Sequence, residues 1–266
     1  MTKLIFYSYL LISCANKVSE NINTKKNIYN DITLELGKVS DFSNFTDTDN
    51  ITVWGGSAIK GEDGLYHMFY SRWKKNLGWA WVTHSEIAHA VSTSPFGPFK
   101  HKDVVFPRRG AEYWDGLCTH NPTTHKFEGK YYLYYMGNTG DDVNPCVPGK
   151  IEYNWTHRNN QRIGVAVADN PNGPWKRFDE PLIDASEDEN ALDGFDWKLS
   201  KNPLVSKLEI TKQDGSIQKL KHLERPQMFF ENGKPIALFC AADTLDTKGV
   251  LHSWNVQIPI KILNNK

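Results

Sequence analysis

The side chains with chemistry to offer are carboxylates set beside aromatic and basic residues. Glu224 stands next to Arg225 at the head of a strand pattern, Asp115 follows Trp114, and Glu86 closes the run His84-Ser85-Glu86. Two carboxyl groups can divide acid and base work between them if burial or a neighbouring charge keeps one protonated. Each also has a plain structural reading: an ion pair with Arg225, a turn residue in Trp-Asp-Gly, and a surface charge on a strand. Arg72, Trp73, His84, Trp114, His120, Asn121, Arg162 and Arg225 are the candidate binding residues around them. His120 could give a proton, bind a hydroxyl or simply be structural, and Arg225 could bind a hydroxyl or a carboxylate. The chain holds nine Trp, eleven Tyr and thirteen Phe. Most belong in a core, and a few could serve as platforms for sugar rings, whose C–H faces pack on aromatic faces.

Positioning these residues falls to a repeated unit. Residues 119–138, THNPTTHKFEGKYYLYYMGN, read as a polar tip, a strand, a tight Glu-Gly-Lys turn and an aromatic strand. GKYYLYY (129–135) lies over GLYHMFY (64–70) and GKPIALF (233–239). In that register Gly55-Gly56-Ser57, His120-Asn121-Pro122 and Glu224-Arg225-Pro226 coincide. A second element recurs as SPFGPFK (94–100) and NPNGPWK (170–176), each after an alternating strand, with a degenerate copy DGFDW at 193–197. Two elements repeating in one order predict an all-β fold, a β-propeller, with a generic antiparallel sandwich as the alternative.

The 266 residues suffice for one large all-β domain or two small ones, and 39% hydrophobic with 23% charged residues is ordinary globular composition. A formal net charge of zero without basic clusters argues against a nucleic-acid partner. Residues 1–14 carry one lysine, an apolar run too short to span a bilayer, and the ending Leu11-Ile12-Ser13-Cys14. They predict a lipoprotein-type signal peptide with lipidation at Cys14, the alternative being an ordinary leader with an incidental cysteine. Residues 15–50 read as a tether and first strand, the latter at 32–36 and placed to complete the last blade. Residues 51–266 form the propeller domain. Cys118, Cys146 and Cys240 match neither a disulfide framework nor zinc spacing. No cofactor is expected, although Asp141-Asp142 could hold a structural divalent cation without the spacing of a calcium loop. Insertions at 79–86 and 138–162 belong on a binding face.

The order WGGSAI, YSRW, WVTHSEIAHAVSTSPFGPFK, YWDG, CTHNPT, KYYLYYMGNTGD, NWTHRNNQRIGVAVADNPNGPWKRF and ERPQMFFENGKPIALFCAAD resembles exported bacterial glycoside hydrolases grouped around family 43. The resemblance implies a five-bladed propeller whose axial pocket is lined by the leading ends of the innermost strands. Those ends carry an Asp base, an Asp that adjusts the acid's pKa, and a Glu acid. The matching positions here are Gly55/Gly56, His120/Asn121 and Glu224/Arg225, of which only Glu224 is a carboxylate. Five blades need about 300 residues, so part of one or more blades is expected to be missing near residue 190. The implied activity is hydrolysis of an oligo- or polysaccharide outside the cytoplasm, by a protein held to a membrane through its lipid anchor alone. Its carboxyl groups would stand about 5–5.5 Å apart for retention or about 6.5–9.5 Å for inversion. The alternative is a catalytically impaired propeller that binds carbohydrate. A protein-interaction propeller fits the aromatic and polar insertions less well.

Overall fold

The computed structural model describes residues 33–139, 160–184 and 208–263. The leader, Cys14, most of the tether, Cys146, Asp141-Asp142, the 193–197 remnant and the expected gap near residue 190 all lie outside them.

The described residues form three blade-like antiparallel sheets and a short hairpin. The first sheet runs β3 (Ile51–Lys60), β4 (Tyr66–Lys74), β5 (Glu86–Ser92) and β6 (Lys100–Phe106), each strand pairing with the next. The second repeats this with β7 (Cys118–Phe127), β8 (Lys130–Asn138), β9 (Arg162–Ala168) and β10 (Lys176–Arg177). The third is closed by the start of the chain. After β13 (His222–Glu231), β14 (Lys234–Leu245) and β15 (Leu251–Leu263), its fourth strand is β1 (Thr33–Leu36), with β2 (Asn44–Phe45) pairing further along β15. This is the blade order of a β-propeller whose last blade takes its outer strand from the N-terminal side. The sequence repeats do not foreshadow the hairpin of β11 (Glu209–Thr211) and β12 (Ile217–Lys219), which covers the outer face of the closing sheet.

The two copies of the Gly-Pro element take the same backbone form. Gly97 and Gly173 have φ of 88° and 83°, and both following peptide bonds are cis. Strand alternation explains the aromatic strands. On β4, Met68 and Tyr70 pack with Phe45, Phe229 and Phe239 against the closing sheet. Phe69 points the other way and, with Phe106 of β6 and Trp114 of the link, packs against Leu133 and Tyr135 of the second sheet. Most aromatics are therefore core, and each buried one contributes about 1.5–3 kcal/mol of hydrophobic stabilisation. Cys118 and Cys240 are buried free thiols, both pushed up to about 12 by burial.

Asp115 belongs to this framework. Its carboxylate is fully buried and takes Arg109 Nε at 2.8 Å, Arg177 Nη2 at 2.6 Å, Arg177 Nε at 3.0 Å and the Tyr135 hydroxyl at 2.6 Å. It ties the 107–117 link to β8 and β10. With two guanidinium groups and a phenol on one carboxylate, no oxygen is left for a substrate. Asp115→Asn is predicted to lose about 3 kcal/mol, because two half-buried arginines then lack the buried carboxylate that pairs with both. Urea denaturation reads this directly, and an unchanged midpoint would contradict it.

Candidate functional site

Each first strand breaks its ladder at the same place. Register jumps fall between Trp54 and Gly56 on β3, His120 and Thr123 on β7, and Glu224 and Gln227 on β13. The bulged residue is left-handed each time: Gly55 at φ 50°, Asn121 at 51° and Arg225 at 56°. The three bulges also meet in space. A Cβ built on Gly55 would lie 3.4 Å from both Cβ and Cγ of Arg225 and 3.6 Å from Asn121 Oδ1. Glycine suits β3 here because of its positive φ, and an added Cβ would touch both other bulges at ordinary contact distance.

Tryptophans wall the space above. Trp54 at the head of β3 and Trp73 at the end of β4 are buried, and both pack on Trp79. The half-buried Trp81 opens the one-turn helix α1 (Trp81–His84) and stacks on His120, with ring centroids 5.1 Å apart at 26°. Burial, and then the charge of Arg225, hold His120 down at about 3. Its Nδ1 lies 2.7 Å from Ser85 Oγ, so the ring is a neutral hydrogen-bonding group rather than a charge.

Opposite stands a dyad. His222 on β13 directs Nδ1 at the carboxylate of Asp243 on β14, 2.8 and 3.0 Å from its two oxygens. The Asp243 carboxylate is fully buried, whereas the imidazole is 37% exposed beside Trp54 and Trp79, with centroids 6.5 and 6.2 Å away. An oriented, accessible imidazole of this kind can take or give a proton through Nε2. Leu223 packs into the outer core of the closing sheet, so strand alternation sets Glu224 on the same face as His222. Glu224 and Arg225 are both exposed, and neither has an ion-pair partner within 4.0 Å among the described residues. The ion pair considered between them does not form.

The structure thus gathers Trp73, His120, Asn121, Glu224 and Arg225 at one mouth. His84, on α1 beside it, is held by Thr83 Oγ1 at 2.8 Å. Other candidates lie elsewhere. Arg72 and Glu86 pair across β4 and β5 at 3.4 Å, in a network where Asp47 takes Arg72 Nη1 at 2.7 Å and the Tyr70 hydroxyl at 2.6 Å. Burial raises Glu86 above the usual carboxylate range while Arg72 pulls it back. This network occupies the opposite face of β4 from Ser71 and Trp73. Trp114 is 9% exposed and stacked on Tyr135; a Cβ on Gly137 would lie 2.7 Å from its ring. It fills a slot between sheet glycines and serves packing. Arg162 pairs with Asp184 at the edge of a separate cleft of about 490 Å³. The sequence analysis does not single out His222, Asp243 or Trp54 as site residues, whereas Trp79 and Trp81 lie in the insertion at 79–86 that it assigns to a binding face.

No protein-family model matches the sequence, and no curated protein matches it. Solved structures do. One is Zg3597, a family 117 glycoside hydrolase of the marine bacterium Zobellia galactanivorans, at 16% identity and a TM-score of 0.40, covering 88% of this chain and 61% of that one. A GH43_1 enzyme from Xanthomonas citri gives 15% and 0.37, covering 78% and 55%. CoXyl43, a GH43 β-xylosidase/α-arabinofuranosidase from a compost metagenome in complex with xylotriose, gives 15% and 0.39, covering 79% and 78%. The chain spans 61% and 55% of the length of the first two.

The state of His120 has a measurable consequence. Its folded value of about 3 lies below the ordinary 6.5, so the unfolded chain binds the proton more readily. The stabilisation is complete above about pH 6.5 and is lost as pH falls toward 3, by about 1.4 kcal/mol per unit. His120 ring nitrogens followed by NMR are predicted to remain neutral at pH 5; titration near 6.5 would contradict the buried placement.

Proposed function

We propose that the tryptophan-walled mouth over the three bulges binds an oligo- or polysaccharide and cleaves a glycosidic bond. The observation that carries this reading is the pairing, on one face of one strand, of the Asp243-oriented His222 with the exposed Glu224. Residues two apart on a strand stand about 6.6 Å apart along it. Here the imidazole would protonate the leaving oxygen and the Glu224 carboxylate would activate the water. Trp79 and Trp81 offer half-buried ring faces for the sugar, and neutral His120 offers a hydrogen-bonding nitrogen for a hydroxyl. The leader ending in Cys14 fits an exported, lipid-anchored protein that meets its glycan outside the cytoplasm. A second reading, binding without cleavage, is favoured by one observation: the bulge residues Gly55, Asn121 and Arg225 include no carboxylate.

Glu224→Gln and His222→Ala are each expected to reduce turnover about 10²–10⁴-fold on a panel of oligosaccharides, with circular dichroism unchanged. Trp79→Ala should mainly raise KM. Turnover that survives both changes would sink the assignment of these groups. Folded wild-type protein that binds oligosaccharides and cleaves none would establish the binding reading instead.

A further inference from the structure

Two exposed charges at the mouth, Glu224 and Arg225, make no ion pair among the described residues, and Arg225 is the cation of the two. It projects from a left-handed bulge at the point where three strands converge, beside a glycine that leaves the space next to its Cβ and Cγ open. No carboxylate lies within 4.0 Å of it among the described residues. The two other bulges, Gly55 and Asn121, bring no charge of either sign. His120 is held neutral, partly by Arg225 itself, so no second cation competes there. Asn121 Oδ1 is buried with no hydrogen-bond partner among the described residues, an acceptor that a sugar hydroxyl could satisfy. Glu224 is the neighbouring carboxylate, yet it lies on the His222 face and makes no ion pair with Arg225.

We infer that this axial position is a subsite for an acidic sugar, one whose carboxylate or sulfate ester meets the Arg225 guanidinium while a hydroxyl of the same sugar donates to Asn121 Oδ1. The inference rests on the mouth being the glycan site and adds the charge of its substrate. A neutral sugar closing over the mouth would strip water from a guanidinium and leave it without a counter-charge, which is costly. An anionic sugar replaces that water with a planar, two-pronged partner, the geometry that guanidinium groups favour. Trp79 and Trp81 would still take the ring faces, so charge sets selectivity and stacking contributes to affinity for any sugar.

The test is calorimetric titration of the full chain and of Arg225→Gln and Arg225→Lys. The probes are trigalacturonate, its fully methyl-esterified form, and a sulfated galactose oligosaccharide with its desulfated counterpart. Arg225 is exposed, so the variants should retain the wild-type circular dichroism. The expected result is that an acidic probe binds wild-type protein about 10- to 100-fold more tightly than its neutral form. Arg225→Gln should remove that difference, Arg225→Lys should keep part of it, and added salt should shrink it. Preference for trigalacturonate over the sulfated probe, or the reverse, identifies the source of the charge. Equal binding of acidic and neutral forms, unchanged in Arg225→Gln, would overturn the inference while leaving the glycan site standing. Binding of none of the probes, alongside no binding of neutral xylo-oligosaccharides, would overturn both.

Discussion

Three strand ends have to meet at one point without filling it, and the left-handed bulge is the device that lets them. A regular ladder carried through Gly55, Asn121 and Arg225 would continue the alternation and drive a side chain from each strand into the same space. The extra residue in each bulge breaks the ladder and turns the strand as it arrives. The three positions bear the constraint differently. Glycine adopts a positive φ freely, asparagine tolerates it, and for arginine the conformation costs about 1–2 kcal/mol. Such strain is retained where the surroundings dictate it and often where a ligand is met. The hydrogen bond from the Asn121 N–H to Ser71 Oγ, 2.9 Å, fixes one bulge against the neighbouring sheet.

Positions that depend on convergence need sheets that do not slide. Between the first and second sheets this is done by hydroxyl groups rather than by ladders. Ser57 Oγ accepts from the Thr124 N–H at 3.0 Å, and Thr119 Oγ1 accepts from the Ile87 N–H at 3.2 Å. Ser253 Oγ accepts from the Val53 N–H at 3.2 Å across to the closing sheet. Each such bond is worth about 1 kcal/mol net, but its geometry sets register to a fraction of an ångström. Asp115 with its two arginines holds the far side of the second sheet in the same way. The sheets therefore present their leading ends as a rigid rim, and α1 with its tryptophans completes it.

Much of this could be read from the sequence. The hairpin glycines at 64, 129 and 233 set the repeats in register; that register superposes the bulges at Asn121 and Arg225 and leaves Gly55 one residue out of step with them. The strand at 33–36 completing the closing sheet follows from the same logic. The catalytic candidates were harder, because a carboxylate beside a tryptophan looks alike in a pocket and in a core. Asp115 reads like a site residue, yet the partners that occupy it, Arg109, Arg177 and Tyr135, come from three separate places in the chain. Arg72 and Glu86 were on the proper strands but on the face turned toward the closing sheet. His222 and Asp243 do carry a signal in the sequence. Counting outward from the Asn232-Gly233 turn pairs them directly, since the two register shifts on the way cancel. His222 also precedes Glu224 by two, which places both on one face.

Whether the bulges form the binding site is tested most directly by comparing two glycine substitutions. Gly55→Ala and Gly64→Ala both force alanine into a positive φ, 50° and 79°, but only at Gly55 does the new methyl meet other residues, those of the converging bulges. Both variants should lose about 1–2 kcal/mol of stability from the backbone strain. Oligosaccharide affinity, measured by calorimetry below both unfolding transitions, should fall tenfold or more in Gly55→Ala and stay at the wild-type value in Gly64→Ala. Wild-type affinity in both would place the glycan site away from the point where the three strands meet.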